Sequence, residues 1–157
     1  VRFPMRGAVT VRYNDAIAIE RGPLVYSLKI GESWTRVNAD KPHRELPHGD
    51  FEVRPTTPWN YALAVDERRP DAGVRFEERR VGGVPFSPEG AGMLARVQGR
   101  QLPNWKLLRG WAAEVSPADV AWANPSAPPP EEPLEELTLI PYGCTNIRIT
   151  EFPRTRG

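Results

Sequence analysis

The chain has 157 residues, enough for one domain that buries roughly 70% of the surface its unfolded form exposes, so its core needs no covalent staple. Its 21 Lys and Arg are balanced by 20 Asp and Glu, a formal net charge of +1, which removes the field that nucleic acid or an anionic membrane would require. One cysteine excludes an internal disulfide, and no apolar run approaches the ~20 residues of a membrane-spanning helix.

The opening Val1-Arg2-Phe3-Pro4-Met5 has neither the charged region nor the long apolar stretch of a signal peptide, and it reads as a cut made inside a longer chain. Pro (18 residues) and Gly (13) are spread throughout and interrupt every candidate helix, so the surviving pattern has period two. Val9, Val11 and Tyr13 alternate with Thr10 and Arg12, Asn14-Asp15 supplies a turn, and Ile17 and Ile19 continue. After Arg21-Gly22-Pro23 comes "LVYSLKI", with Leu24, Tyr26, Leu28 and Ile30 on one face. Further short strands are predicted at Phe51–Arg54, Tyr61–Val65, Val74–Glu78, Met93–Val97 and Trp105–Leu108. Ser116-Pro117-Ala118-Asp119-Val120 suits a single helical turn with Ser116 as N-cap. The Pro-rich stretch 123–134 has little to bury and is predicted as an exposed surface connection. Leu137–Leu139 and Ile147–Ile149 then form a closing hairpin with its corner at Tyr142-Gly143 and Cys144 beside it. Many short strands between frequent turns predict an all-β fold, an antiparallel sandwich or jelly roll, as one domain over 1–157 with at most one or two short helical turns.

Candidate chemistry is sparse. Asp40, His43, His48 and Asp50 crowd one loop, but their spacing matches no tight metal-ligand pattern, and a solvated polar loop is expected. The pairs Glu77-Glu78, Glu131-Glu132 and Glu135-Glu136 read as surface charge, because neighbours along a strand point to opposite faces. Cys144 lacks a sequence partner resembling a Cys-His set and is expected to act as a small buried apolar residue. No catalytic or metal-binding residue is assigned. Trp59, Tyr61, Trp105 and Trp111 combine flat apolar faces with polar handles, and they are the candidates for contact with carbohydrate or with another domain. The 18 Arg against 3 Lys would suit such an interface, because the planar guanidinium stacks and grips carboxylates in bidentate fashion.

Three stretches, "AIAIERGPLVYSL" (Ala16–Leu28), "PWNYAL" (Pro58–Leu63) and "LTLIPYGCTNIRITEFP" (Leu137–Pro153), together resemble the C-terminal region of bacterial β-L-arabinofuranosidase-type glycoside hydrolases, family 127 and its relatives. The resemblance covers nearly the whole chain in order and spacing. It implies an upstream (α/α)6 catalytic barrel with a zinc-bound cysteine nucleophile and glutamates, none of which has a counterpart here. The implied role is that of a non-catalytic accessory β-sandwich with no cofactor of its own. Its partner would be the upstream catalytic domain, with carbohydrate as a second ligand and neither nucleic acid nor membrane.

Two alternatives stand beside this reading. An autonomous carbohydrate-binding module requires an aromatic platform flanked by hydrogen-bonding groups. A free-standing hydrolase would have to pair Cys144 with a histidine. The interdomain role instead predicts that some of Trp59, Tyr61, Trp105 and Trp111 lie exposed in one apolar patch rimmed by Arg.

Overall fold

The structure, a computed structural model, describes residues 5–12, 16–66, 68–112 and 132–154, without the side chains of Pro70, Asp71 and Trp111. The predicted turn at Asn14-Asp15, the helical turn at 116–120 and most of the Pro-rich stretch lie outside the described residues. Eleven strands are described: β1 Gly7–Val11, β2 Ile17–Arg21, β3 Leu24–Leu28, β4 Glu32–Val37, β5 Asp50–Pro55, β6 Tyr61–Leu63, β7 Val74–Glu78, β8 Met93–Gln101, β9 Leu107–Leu108, β10 Trp111–Ala112 and β11 Glu135–Pro141. A four-residue helix, α1, spans Pro70–Gly73, and a 3-10 turn spans Tyr142–Cys144. The fold is therefore all-β, antiparallel and sandwich-like, as the period-two pattern requires.

The main sheet runs β1-β2-β3-β11-β8-β6, with β7 joined to β8 beside β6. Its register sets the core. Leu139 stands opposite both Leu28 and Ala95, and Leu137 opposite Val97, so one face of three strands is continuously apolar. The sheet curls until β7 faces β1 to β3. The ring of Phe76 meets Tyr26 edge-on at 5.5 Å, carries the Arg21 guanidinium at 5.4 Å from its centre, and packs against Gly7. The core so closed contains Ile17, Ile19, Tyr26, Leu28, Leu63, Val97, Leu139 and Phe152. Gly22 opens the two-residue β2–β3 turn with φ 58°, a conformation that residues with a Cβ rarely adopt, followed by Pro23.

Two sequence expectations change, and one strand was not foreseen. The closing hairpin does not form, because β11 is already paired on both edges, by β3 and by β8, and has no free edge for a return strand. Instead the chain turns at Tyr142–Cys144 and runs back toward the splayed ends of β2 and β3. There Leu28 N–H donates to Ile149 O (2.9 Å), and Ile17 and Phe152 exchange two backbone hydrogen bonds (2.8 and 2.9 Å). The predicted strand Trp105–Leu108 begins only at Leu107, because Trp105 N–H closes a turn onto Leu102 O at 3.0 Å. Strand β4 was not read from the sequence. It pairs with β5 in a separate two-stranded arm, from Glu32 opposite Pro55 to Val37 opposite Asp50.

A separate apolar cluster lies on the outer face. Ala91, Leu94, Ile140 and Cys144 pack beneath the loop 79–92, which folds back over β8 and β11. That loop is internally braced. Gly82 N–H donates to Gly90 O (3.0 Å), and a Cβ on Gly90 would stand 1.7 Å from Val84 O, so only glycine permits this backbone approach.

The terminal segment offers the sharpest test of this packing. Phe152 belongs to no named strand, yet its side chain is fully buried. Phe152→Ala should cost about 3–5 kcal/mol, read as a lowered midpoint in urea unfolding. A loss below about 1 kcal/mol would show that the segment is not part of the core.

Candidate functional site

Three of the four candidate aromatics, Trp59, Tyr61 and Trp105, pack toward the interior. Tyr61 is 5% exposed and faces the core from β6, with its hydroxyl donating to Glu135 Oε2 at 3.2 Å. Burial, and after it the nearby Glu135 carboxylate, raises the phenol above its ordinary pKa. Trp105 is 6% exposed and meets the partly buried Trp59 edge-on at 5.1 Å, packed with Ala62 and Leu102. Asn60 between them is a structural latch. Its Nδ2 donates to Leu102 O (2.6 Å) and Trp105 O (3.1 Å), while its Oδ1 accepts from Gln101 Nε2 (3.2 Å). Trp59, Tyr61 and Trp105 are thus brought together, but as core and not as an exposed platform. Trp111 lies on β10, and its side chain is outside the described residues.

Several of the other candidate groups are engaged in hydrogen bonds and ion pairs. In the polar loop, Asp50 accepts from Asn38 Nδ2 (3.0 Å) and Arg44 Nε (2.7 Å), and these two contacts hold its carboxyl below the usual carboxylate range. His43 and His48 are exposed. Glu77 pairs with Arg75 and with Arg96, Glu78 with Arg21 (3.1 Å), and Glu136 with Arg75 (3.5 Å). Exposed pairs of this kind contribute about 0–1 kcal/mol each and mark solvated faces. A shallow groove of about 400 Å³ over Arg75, Arg96, Gln98 and Glu136 is lined by these mutually neutralised charges.

Cys144 is 6% exposed, and its thiol donates to Pro85 O at 3.5 Å. Desolvation raises its pKa above that of a free thiol, the opposite of what a nucleophile needs. A zinc held by several thiolates does not fit this setting. The chain has one cysteine, and no group of three His, Cys, Asp or Glu side chains able to hold a metal exists among the described residues.

Among the described residues, a further concave surface lies at the root of the β4–β5 arm. A cleft of about 600 Å³ is lined by Lys29, Glu32, Trp34, Thr57, Glu89 and Asn146, among others. Its geometry follows from one carboxylate. Glu32 Oε1 accepts from the backbone N–H groups of Asn146 and Ile147 (both 3.3 Å), and Oε2 accepts from Asn146 Nδ2 (3.0 Å) and Trp34 Nε1 (3.2 Å). An isolated two-stranded arm is marginal in water, so this clamp, helped by Thr56 N–H to Gly31 O (2.8 Å) and Gly31 N–H to Thr57 Oγ1 (2.9 Å), fixes its direction. Trp34 stays 52% exposed, with Phe51 edge-on at 5.9 Å. Across the cleft, Lys29 Nζ stands 3.6 Å from Glu89 Oε1. The one signal for this site in the sequence was a lone tryptophan in the polar run "ESWTR".

A second exposed feature borders the cleft. Phe86 is 82% exposed on the braced loop and lies 4.0 Å from where a Cβ on Gly143 would be, beside Tyr142, whose ring carries the Arg148 guanidinium at 4.5 Å. Comparison with protein-family models, with curated proteins and with solved structures finds no match to this chain.

Two outcomes are expected. Cys144 in the folded chain should react with a thiol reagent at pH 8 far more slowly than a free cysteine, because a raised pKa leaves less thiolate, and urea should restore the free rate. Rapid reaction of the folded thiol would contradict its burial. Glu32→Ala should cost about 2 kcal/mol and accelerate amide exchange selectively in residues 32–55, whereas uniform exchange behaviour would show that the arm does not depend on the carboxylate.

Proposed function

We propose that this chain is a non-catalytic accessory domain of a glycoside hydrolase resembling the β-L-arabinofuranosidases, and that it packs on that enzyme's (α/α)6 catalytic barrel. The observation that carries the docking role is Phe86, 82% exposed beside the 3-10 turn Tyr142–Cys144, on which Arg148 stacks over the Tyr142 ring. A phenylalanine left mostly in water on a loop this tightly braced is a feature that isolated folding does not require. An aromatic flanked by a stacked guanidinium is the composition typical of the buried centre of an interface.

The arrangement of the three stretches that carry the resemblance supports the same reading. They interlock as one unit. β11 pairs with β3, Phe152 with Ile17, and Leu63 N–H donates to Pro153 O at 2.8 Å. A unit held together by these stretches keeps the fold and leaves the loops free to meet a partner. Chemistry then falls to the catalytic domain, since the carboxylates and the thiol described above are engaged in ion pairs, clamps and core packing.

The test has two parts. The coding sequence continuous with Val1 should encode an upstream helical barrel with cysteine and glutamate motifs, and its absence would end the proposal. The purified barrel should then bind this 157-residue chain, with Phe86→Asp weakening the complex by roughly tenfold or more while leaving the thermal midpoint of the chain unchanged. Undiminished binding by the variant would remove Phe86 from the interface. The isolated chain should hydrolyse no chromogenic arabinofuranoside.

A further inference from the structure

We infer that the cleft at the root of the β4–β5 arm binds a short neutral oligosaccharide, with the indole of Trp34 as its stacking platform and Lys29, Glu89, Thr57 and Asn146 as its hydrogen-bonding rim. Size is the first reason. About 600 Å³ falls in the middle of the range for small-molecule sites. Polarity is the second. The cleft sets one broad aromatic ring among an ammonium, a carboxylate, a hydroxyl and an amide, which suits a ligand with one apolar C–H face and a periphery of hydroxyls.

Charge selects a neutral ligand. The Lys29 ammonium is matched by the Glu89 carboxylate at 3.6 Å, and the oxygens of Glu32 are turned to backbone and side-chain donors of the protein itself. An anionic or cationic ligand would have to break one of these pairings, while hydroxyl groups can add to them. Preorganisation is the last reason. The indole N–H is held by Glu32 and the ring is braced by Phe51, so little rotamer freedom remains to be lost when a sugar stacks on it.

This site is independent of the accessory-domain reading, since a glycan can bind without a catalytic partner and a partner can dock without a glycan. The test uses the whole folded chain with xylo-, arabino- and cello-oligosaccharides at millimolar concentration, followed by calorimetry and by the NMR signal of the Trp34 indole N–H. At least one series should give saturable heat and a saturable shift of that signal. Trp34→Ala should weaken binding by roughly tenfold or more, and Trp34→Phe by less. Lys29→Ala, at the rim, should weaken it while leaving the chain folded. Trp34 is half in solvent, so an unchanged thermal midpoint in W34A would separate loss of binding from loss of fold. Absence of shifts with all three series, or binding that survives W34A undiminished, would overturn the proposal. Retained sugar binding in F86D with barrel docking lost would confirm that the two surfaces act separately.

Discussion

The closing of the sandwich depends on the short run from Ile149 to Arg154, which has no strand of its own. β2 and β3 pair only next to their turn, at Glu20 with Val25 and Arg21 with Leu24, and beyond that they part. The terminal run enters the gap. It accepts from Leu28 through Ile149 O, exchanges two bonds with Ile17 through Phe152, accepts from Leu63 through Pro153 O, and drops the Phe152 ring into the core. Without it, backbone N–H groups of β2, β3 and β6 would face apolar side chains unpaired, a cost of roughly 1–3 kcal/mol for each buried donor. One segment therefore satisfies hydrogen bonds on three strands and fills the space between them.

The same stretch of chain also explains where the exposed arm and loop lie. Before reaching the gap it passes Asn146 and Ile147, whose donors hold Glu32, and Tyr142 with Arg148, which lie against the loop 79–92. The arm, the braced loop and the 3-10 turn are thus gathered at one end of the sandwich by a chain whose course is dictated by the core. Cys144 is caught in this passage, under Pro85 and against Ile140, and its burial follows from the route the chain takes. A reactive thiol would need the opposite environment, partly wet and electropositive.

Period two was legible wherever one face of a strand is buried. β7 was read with its observed limits, and β3, β6 and β8 within a few residues at their ends, because Val74, Tyr26 or Val97 stand out against polar neighbours, while the wetter β5 was read from Phe51 and Val53 alternating with Glu52 and Arg54. β4 escaped because both of its faces are largely wet, so Ser33, Thr35 and Arg36 carry no alternation to read. The closing hairpin was misjudged for a different reason. Two alternating runs around Tyr142-Gly143 look like a local pair, and only the nonlocal arrival of β3 and β8 on either edge of β11 forbids it. The aromatics failed similarly. Trp59, Tyr61 and Trp105 have the composition of a binding platform, but Tyr61 opposite Gln101 on β6 faces inward and Trp105 sits on a turn beneath Leu102, facts set by register and not by residue type. Trp34, in a run that reads as bland, was left outside.

The contrast between these tryptophans follows from how each polar handle is used. Asn60 ties the Trp59–Trp105 pair into the backbone around it, and the pair packs inward with Trp105 buried. Glu32 ties Trp34 by its N–H and leaves the ring half open, so the residue has lost its freedom without losing its surface. Ordering a side chain costs about 0.5–1.5 kcal/mol when a ligand must do it, and here folding has already done it. Phe86 shows the same economy on the neighbouring loop, held outward by the approach of Gly90 to Val84. Because Ser87, Pro88 and Glu89 of that loop also line the Trp34 cleft, a partner seated on Phe86 would stand at the rim of the cleft. A ligand bound against Trp34 would then lie beside the surface of that partner as well as this one.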